Sequence, residues 1–238
     1  MLGLAFELLR RGISRGDENA RLFVYAALGD RNARIRDLAS RTLADVGERK
    51  DIPKLIATAQ EATDPEERAS LIAHLRFFST HPQVEAFLFG VLDSDASTTV
   101  RVSAVKTISL TAATGGPVKE REEEKIARLR EIAARIGDPA LTEAVEAKIE
   151  DYTNRLESTR REHMRITVAA IRLAIDVTAQ NLPEQPTSKD AAPLRDLIEE
   201  ADRLLGQASG DSDAEWQALK TARERAVQRL QETENEDR

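Results

Sequence analysis

The chain of 238 residues has no cysteine, few aromatic residues and no long apolar run. Without cysteine it cannot form disulfides, thiolate nucleophiles or the zinc sites that need thiolates. It contains no run of about 18 apolar residues, so the sequence predicts no membrane span. A secretion signal is not predicted either, because Arg10 and Arg11 follow the first apolar residues instead of preceding them. We therefore expect a cytoplasmic protein.

Residues that carry catalysis or hold cofactors are also scarce. The histidines are His74, His81 and His163, and none has a second His three or four residues away, as a helical metal site requires. The sequence has no glycine-rich phosphate loop and no nucleophile elbow. It thus predicts no catalytic residue, no metal site, no cofactor and no enzymatic activity.

Aromatic residues and charge divide the chain near residue 117. All six Phe precede this point, whereas the single Trp follows it. Residues 1–117 hold 15 Lys and Arg against 15 Asp and Glu, so the formal charge of −7 comes entirely from the remainder. The segment Thr114–Pro117 (TGGP) is the strongest helix-breaking stretch of the chain. We predict two domains, residues 1–117 and an acidic domain over residues 118–238.

A short phrase recurs in the first of these domains. The sequence IRDLA around Arg36 returns as VRVSA around Arg101, and a weaker copy, ERASL, surrounds Arg68. The three arginines lie 32 and 33 residues apart. A fixed period in this range is typical of stacked helix pairs. It predicts that the second helices, Arg31–Val46, Pro65–Phe78 and Thr98–Thr111, lie side by side.

The turns before these helices add a second element to the pattern. Asp30 lies six residues before Arg36, and Asp95 lies six residues before Arg101, whereas Ala62 occupies this place before Arg68. With this spacing, residues 18–113 resemble short HEAT repeats. The resemblance implies an all-α fold in which helix pairs stack into an α-solenoid.

The matched spacing of Asp30 and Asp95 favours a structural role for the charged residues of the phrase. A guanidinium fork suits a bidentate bond to a carboxylate, so each Arg is expected to bond a turn aspartate of its own or the neighbouring repeat. A cationic ladder for a phosphate or an acidic partner is the alternative. The residues of this ladder are Asp30, Arg36, Arg68, Asp95 and Arg101.

The second domain is predicted to begin as a helical hairpin or coiled coil. Glu120–Ile136 and a long helix, Ala140–Gln180, flank a tight Gly-Asp-Pro turn. The long helix carries a seam with 3-4 spacing, as a helix contact requires: Ile149, Tyr152, Leu156, Thr159, His163, Ile166, Ala170, Leu173 and Val177. A flexible loop at residues 182–193 and a frayed tail at 231–238 are also predicted. The C-terminal helices either extend the solenoid or form a separate bundle.

A repeat surface without catalytic groups favours a binding function. We predict a non-catalytic adaptor or scaffold that binds a protein partner, as a subunit of a larger assembly. A homodimer through the helix at residues 140–180 is a further prediction. The alternative is a nucleic-acid-binding module with a basic face on residues 1–117, which the acidic balance of the whole chain disfavours. The candidate contact residues are exposed cations: Arg34, Arg41, Arg76, Lys106, Arg160, Arg161 and Arg165.

Overall fold

The structure, a computed structural model, describes residues 2–183, 187–207 and 214–236, and it is all-helical over these residues. Within them, no helix combines the length and the apolar character that crossing a membrane requires. Short 3₁₀ turns at Arg49–Asp51 and Leu75–Phe78 accompany the α-helices. The α-helices are α1 (Leu2–Ser14), α2 (Glu18–Leu28), α3 (Ala33–Val46), α4 (Ile52–Glu61), α5 (Pro65–His74), α6 (Pro82–Ser94), α7 (Thr98–Thr107), α8 (Gly116–Ile136), α9 (Pro139–Gln180), α10 (Ser188–Gln207) and α11 (Ala214–Glu236).

Local caps set several helix ends. Asp17, Asp64 and Asp138 accept backbone N–H bonds from the first turns of α2, α5 and α9. Gly47 and Gly137 end α3 and α8 with φ angles of 75° and 70°, in the left-handed region that favours glycine. These boundaries depend on hydrogen bonds between residues close in the chain and on the backbone freedom of glycine, so they can be predicted from the sequence.

Contacts divide the chain into two compact units, Met1–Leu156 and Glu157–Arg238. The core of the first unit includes Leu129 and Ile132 from α8 and Leu141 and Val145 from α9. The boundary predicted at residue 117 therefore falls inside this unit. The physical reason is that the amphipathic helices α8 and α9 have to bury their apolar faces, and they do so against the preceding helices.

Helices of the first unit pack as successive pairs. α2 contacts α3, α4 contacts α5, and α6 contacts α7, while α3 packs on α5 and α5 packs on α7. The helix α8 meets α6 through Lys125 and Glu85, whose Nζ and Oε2 atoms are 2.7 Å apart. The helix α9 meets α7 where Lys148 Nζ donates to the Lys106 carbonyl at 2.9 Å. Through these contacts α8 and the first part of α9 join the first unit.

The second unit consists of the C-terminal part of α9 together with α10 and α11. Its core contains Val168 and Ile175 from α9, Leu194 from α10, and Trp216 and Leu219 from α11. The helices α10 and α11 pack directly on each other. Trp216 is the single tryptophan of the chain, so its fluorescence reports on this unit alone.

The seam predicted along α9 does not face the core of the second unit. Ile166, Leu173 and Val177 are 58%, 61% and 46% exposed, whereas Val168 and Ile175 are fully buried. Two apolar stripes run along this part of the helix. The stripe in the core contains Val168 and Ile175, each two residues after a member of the predicted seam. Residues two apart lie about 200° apart around an α-helix, so the core of the second unit contacts the side of α9 nearly opposite the predicted stripe.

Helix α10 begins earlier than the sequence predicts. Ser188 is its first residue, although residues 182–193 were expected to form a loop. Thr187 and Asp190 exchange hydrogen bonds, Oγ1 to Oδ2 at 2.6 Å and N to Oγ1 at 3.3 Å, and this capping box starts the helix ahead of Pro193. Residues 184–186 of the predicted loop lie outside the described residues.

The predicted frayed tail at 231–238 also differs from the structure. Helix α11 continues to Glu236, through most of this segment. Residues 237 and 238 lie outside the described residues.

Candidate anion-binding pocket

Two arginines of the repeat phrase join neighbouring helix pairs. Arg36 donates to the Asp30 carbonyl, six residues back, at 2.6 Å and to Glu67 of the next pair at 2.5 Å. Arg68 repeats this geometry: it donates to the carbonyl six residues back at 2.7 Å and to Asp95 of the next pair at 2.7 and 3.0 Å. Arg36 and Arg68 thus each connect one helix pair to the next. Asp30 contributes its backbone oxygen to this arrangement instead of its carboxylate.

Arg101 departs from the pattern. Its Nε atom is buried without a hydrogen-bond partner, and the structure shows no hydrogen bond from this side chain to any described residue. The carboxylates nearest in the pattern are already engaged, since Asp95 accepts from Arg68 and Asp138 accepts from Thr98. The bond expected for Arg101 within the stack is therefore absent.

Arg68→Ala is expected to lower the free energy of unfolding of the first unit by about 2–3 kcal/mol. The side chains of Arg68 and Asp95 are only 18% and 12% exposed, so the change leaves a carboxylate in a partly buried site without its cation. Arg41→Ala is the matched control, because its side chain is 63% exposed and lies 3.8 Å from Asp45. The control is expected to change the stability by less than about 0.5 kcal/mol. Urea unfolding followed by far-UV circular dichroism measures both, and equal losses would contradict a structural ladder.

The same pair gives the stability a pH dependence. Burial raises the pKa of Asp95, but the hydrogen bonds from Arg68 and from the Ser97 backbone outweigh it and hold the pKa below its usual range. A lowered carboxyl pKa contributes stability that is present above the ordinary value of about 3.9 and is lost as pH falls through the lowered one. The difference between the wild type and Arg68→Ala is therefore expected to shrink below about pH 4.

A cluster of Asp37, Ser70 and His74 joins α3 to α5. Ser70 Oγ donates to Asp37 Oδ1 at 2.6 Å, and His74 Nε2 lies 2.9 Å from the same oxygen. Burial raises the pKa of Asp37, but these two bonds outweigh it and lower the pKa. In a hydrolytic relay the histidine lies between the nucleophile and the acid, whereas here the carboxylate lies between the other two. The arrangement fits a helix contact and not a catalytic triad.

The structure brings two of the predicted contact residues into one pocket and leaves the others apart. Arg76 and Lys106 line the same open pocket, whereas Arg34 and Arg41 are exposed on α3. The remaining predicted residues are exposed on α9 in the second unit: Arg160, Arg161 and Arg165.

The pocket of Arg76 and Lys106, named here the cationic pocket, has a volume of about 330 Å³. The 3₁₀ turn after α5, the end of α7 with the residues that follow it, and the N-terminal half of α9 form its walls. Its lining residues are Arg76, Ser79, Lys106, Thr107, Ile108, Ser109, Leu110, Lys148, Asp151 and Arg155. Three separate segments of the chain therefore bring four cations to one place.

Asp151 is the one acidic residue among those that line the cationic pocket. Its Oδ2 atom forms an ion pair with Arg155 Nη2 at 3.1 Å. In the part of the chain that the structure describes, no carboxylate lies within ion-pair distance of Arg76, Lys106 or Lys148. The pocket thus holds an excess of positive charge, although the chain as a whole carries −7. This excess makes it a candidate site for an anion.

Lys148 lies in the cationic pocket with no described carboxylate within ion-pair distance of its Nζ atom. Its side chain is half-buried, and Nζ donates to the Lys106 carbonyl at 2.9 Å. Burial, and then the positive charge of Arg155, lower the pKa of Lys148, and the negative charge of Asp151 offsets this only in part. A cation in such an environment is stabilised by an anion that enters from solvent.

Arg76 is positioned by an aromatic contact. Its guanidinium lies 4.5 Å from the centre of the Phe77 ring, which is 51% exposed. Stacking on the ring restricts the long side chain and keeps its planar fork available to a carboxylate or a phosphate.

A larger pocket, of about 450 Å³, lies between α4 and α6. Arg68 and Asp95 line it, but they bond each other and leave no charge for a ligand. We therefore place the candidate site at the cationic pocket despite its smaller volume.

Sequence reasoning missed Lys148 and Arg155 as members of the site, because it assigned them to a separate domain. No sequence signal marked Lys148, because lysine is common at the positions that flank an apolar helix seam.

Among the described residues, no three His, Asp or Glu side chains converge as a metal-binding site requires. Comparison of the chain with protein-family models, with curated proteins and with solved structures gave no match.

Proposed function

We propose that the protein is a non-catalytic adaptor whose repeat surface binds an acidic segment of a protein partner. The observation that carries this proposal is the cationic pocket, where Arg76, Lys106 and Lys148 face solvent or the pocket without a carboxylate partner. A surface with unopposed cations in an acidic chain is suited to a complementary acidic ligand.

The proposed architecture is a HEAT-like α-solenoid that runs from α2 to at least α9. Its support is the order of the contacts, in which α3, α5 and α7 follow one another and α9 is bonded to α7. Arg36 and Arg68 add bonds of the same geometry at the first two steps, from each of these pairs to the next. Such stacks present a continuous surface, which is why binding is the function that this fold favours.

In the proposed mode of binding, a partner's helix or extended segment lies across the exposed ends of α5 and α7. Arg76 and Lys106 act as anchors, while Arg34 and Arg41 on α3 extend the contact surface. A few anchors of this kind dominate the free energy of binding at most protein interfaces, because neighbouring contacts mainly exclude water.

Charge reversal tests this proposal. The double variant Arg76→Glu/Lys106→Glu is expected to lose a partner that the wild type captures from its native host, as measured by quantitative mass spectrometry. The matched control is Arg15→Glu/Arg31→Glu, which reverses two exposed cations near α2 with the same change of net charge. A partner lost equally from both variants, or retained by both, would contradict a role for the pocket.

Nucleic-acid binding, the alternative prediction, requires a broader positive surface. A duplex-binding protein typically neutralises about 6–10 phosphates, and its affinity falls steeply with salt. Outside the cationic pocket the exposed cations of α3 are interleaved with acids, as in the pair of Arg41 and Asp45. If the wild type binds a duplex at low salt and the variant Arg76→Glu/Lys106→Glu does not, nucleic-acid binding would replace the adaptor proposal.

The homodimer through residues 140–180 stays a prediction. Ile166, Ala170, Leu173 and Val177 form an exposed apolar stripe with the 3-4 spacing of a two-helix contact. A dimer would pair these positions, and the molecular mass in solution measures it.

A further inference from the structure

The cationic pocket contains more positive charge than a single carboxylate can balance. We infer that it binds the dianion of a phosphate monoester. This inference rests on the proposed function only in using the same pocket, because phosphate binding can be measured on the protein alone.

The charges of the lining residues favour a dianion. Arg155 pairs with Asp151, and Arg76, Lys106 and Lys148 remain as three positive charges with no carboxylate within ion-pair distance among the described residues. A phosphate monoester carries a charge of about −1.5 to −2 at pH 7 and offers three acceptor oxygens. A carboxylate side chain offers one charge and two oxygens, so it would leave most of the excess uncompensated.

The donors of the pocket suit those oxygens. The guanidinium of Arg76, held over Phe77, presents a planar fork that matches phosphate geometry. Lys148 uses one N–H for the Lys106 carbonyl and keeps two donors for a ligand. The residues Ser79 and Ser109 add hydroxyl groups to the lining. The volume of about 330 Å³ exceeds that of a phosphate group and leaves room for the moiety that carries it.

A purely structural role for Lys148 makes a different prediction. If the ammonium serves only to cap the last turn of α7 through the Lys106 carbonyl, phosphate leaves its titration unchanged. In the binding model the dianion raises the lowered pKa of Lys148. The other charged groups that face Lys148 come from all three walls: Arg76 from the 3₁₀ turn, Lys106 from α7, and Asp151 and Arg155 from α9.

The test is a titration of the full chain with inorganic phosphate and with N-acetyl-O-phosphoserine amide. We expect a Kd for inorganic phosphate on the order of 1 mM, measured by calorimetry. Lys148→Met keeps the length of the side chain and is expected to weaken binding about tenfold. Lys54→Met is the matched control, since Lys54 lies over the Tyr25 ring and outside the pocket, and it is expected to leave the Kd unchanged. In ¹³C-lysine spectra, the Lys148 signal is expected to titrate at higher pH with phosphate present.

Equal Kd values for the two Met variants, with an unmoved Lys148 signal, would overturn the inference. Arg76→Gln provides a second variant if Lys148→Met fails to fold, because Arg76 is exposed on a short turn. Tighter binding of the phosphoserine compound than of inorganic phosphate would point to a phosphorylated partner protein. Equal binding of the two would point to a free phosphate compound, and either result supports the shared chemistry.

The experiments distinguish a failure of the phosphate inference from a failure of the proposed function. Phosphate binding without a charge-dependent protein partner would remove the adaptor proposal and keep the phosphate site. A charge-dependent partner without phosphate binding would keep the adaptor and overturn the phosphate site.

Discussion

Arg21→Ala is expected to lower the free energy of unfolding by about 3–5 kcal/mol, the largest loss among exchanges of charged residues in the first unit. The side chains of Arg21 and Asp51 are 3% and 0% exposed, and Arg21 Nη1 lies 2.5 Å from Asp51 Oδ2. Arg21 also bonds Glu48, and the Tyr25 hydroxyl donates to Asp51 at 2.5 Å. Removing the guanidinium leaves a buried carboxylate without a counter-charge, which is among the most destabilising changes that a core permits.

The double variant Arg21→Met/Asp51→Leu separates the lost interaction from the buried charge. It removes both charges and fills the space with apolar atoms, and such exchanges of a buried ion pair are often neutral or stabilising. We expect its stability to lie well above that of Arg21→Ala in urea unfolding followed by circular dichroism. If both variants lose the same amount, the packing of these side chains matters more than their charge. A loss below about 1 kcal/mol for Arg21→Ala would show that water reaches Asp51.

Features that depend on neighbouring residues in the chain were predictable. Asp17, Asp64 and Asp138 cap helices within three residues of themselves, so the sequence contains both partners of each bond. The arginine period is likewise local to each repeat, since Arg36 and Arg68 each bond the carbonyl six residues back. The all-helical class follows from such short-range signals.

Features that depend on distant residues were not predictable. The carboxylate that pairs with Arg21 lies 30 residues away, and the carbonyl that pairs with Lys148 lies 42 residues away. Exposure marked Arg76 and Lys106 as candidates, but only the packing of α9 beside α7 shows that Lys148 and Arg155 complete the same pocket. A sequence contains no direct record of which surfaces the folded chain brings together.

The stripe of α9 that faces the core was not predictable for a different reason, because two stripes fit the pattern equally well. Ile166, Ala170, Leu173 and Val177 share the 3-4 spacing, and so do Met164, Val168, Ile171 and Ile175. Either stripe satisfies the periodicity of an amphipathic helix, so the sequence cannot decide which one faces the core. The choice depends on the faces that α10 and α11 present to the helix.

That choice predicts opposite outcomes for two neighbouring residues. Ile175→Ala is expected to lower the free energy of unfolding of the second unit by about 2–4 kcal/mol, because Ile175 is fully buried and the change leaves a cavity. Leu173→Ala is the matched control: it removes as many carbon atoms from the same helix, but Leu173 is 61% exposed. We expect the control to change the stability by less than about 0.5 kcal/mol.

Trp216 makes the measurement specific to this unit. It shares a core with Ile175 and is the single tryptophan, so urea unfolding followed by its fluorescence excludes the signal of the first unit. A larger loss for Leu173→Ala than for Ile175→Ala would restore the seam that the sequence predicts and would place the 166–177 stripe in the core. A protein-concentration dependence of the Leu173→Ala loss would have another meaning, since it would show that the exposed stripe is covered by a second copy of the chain.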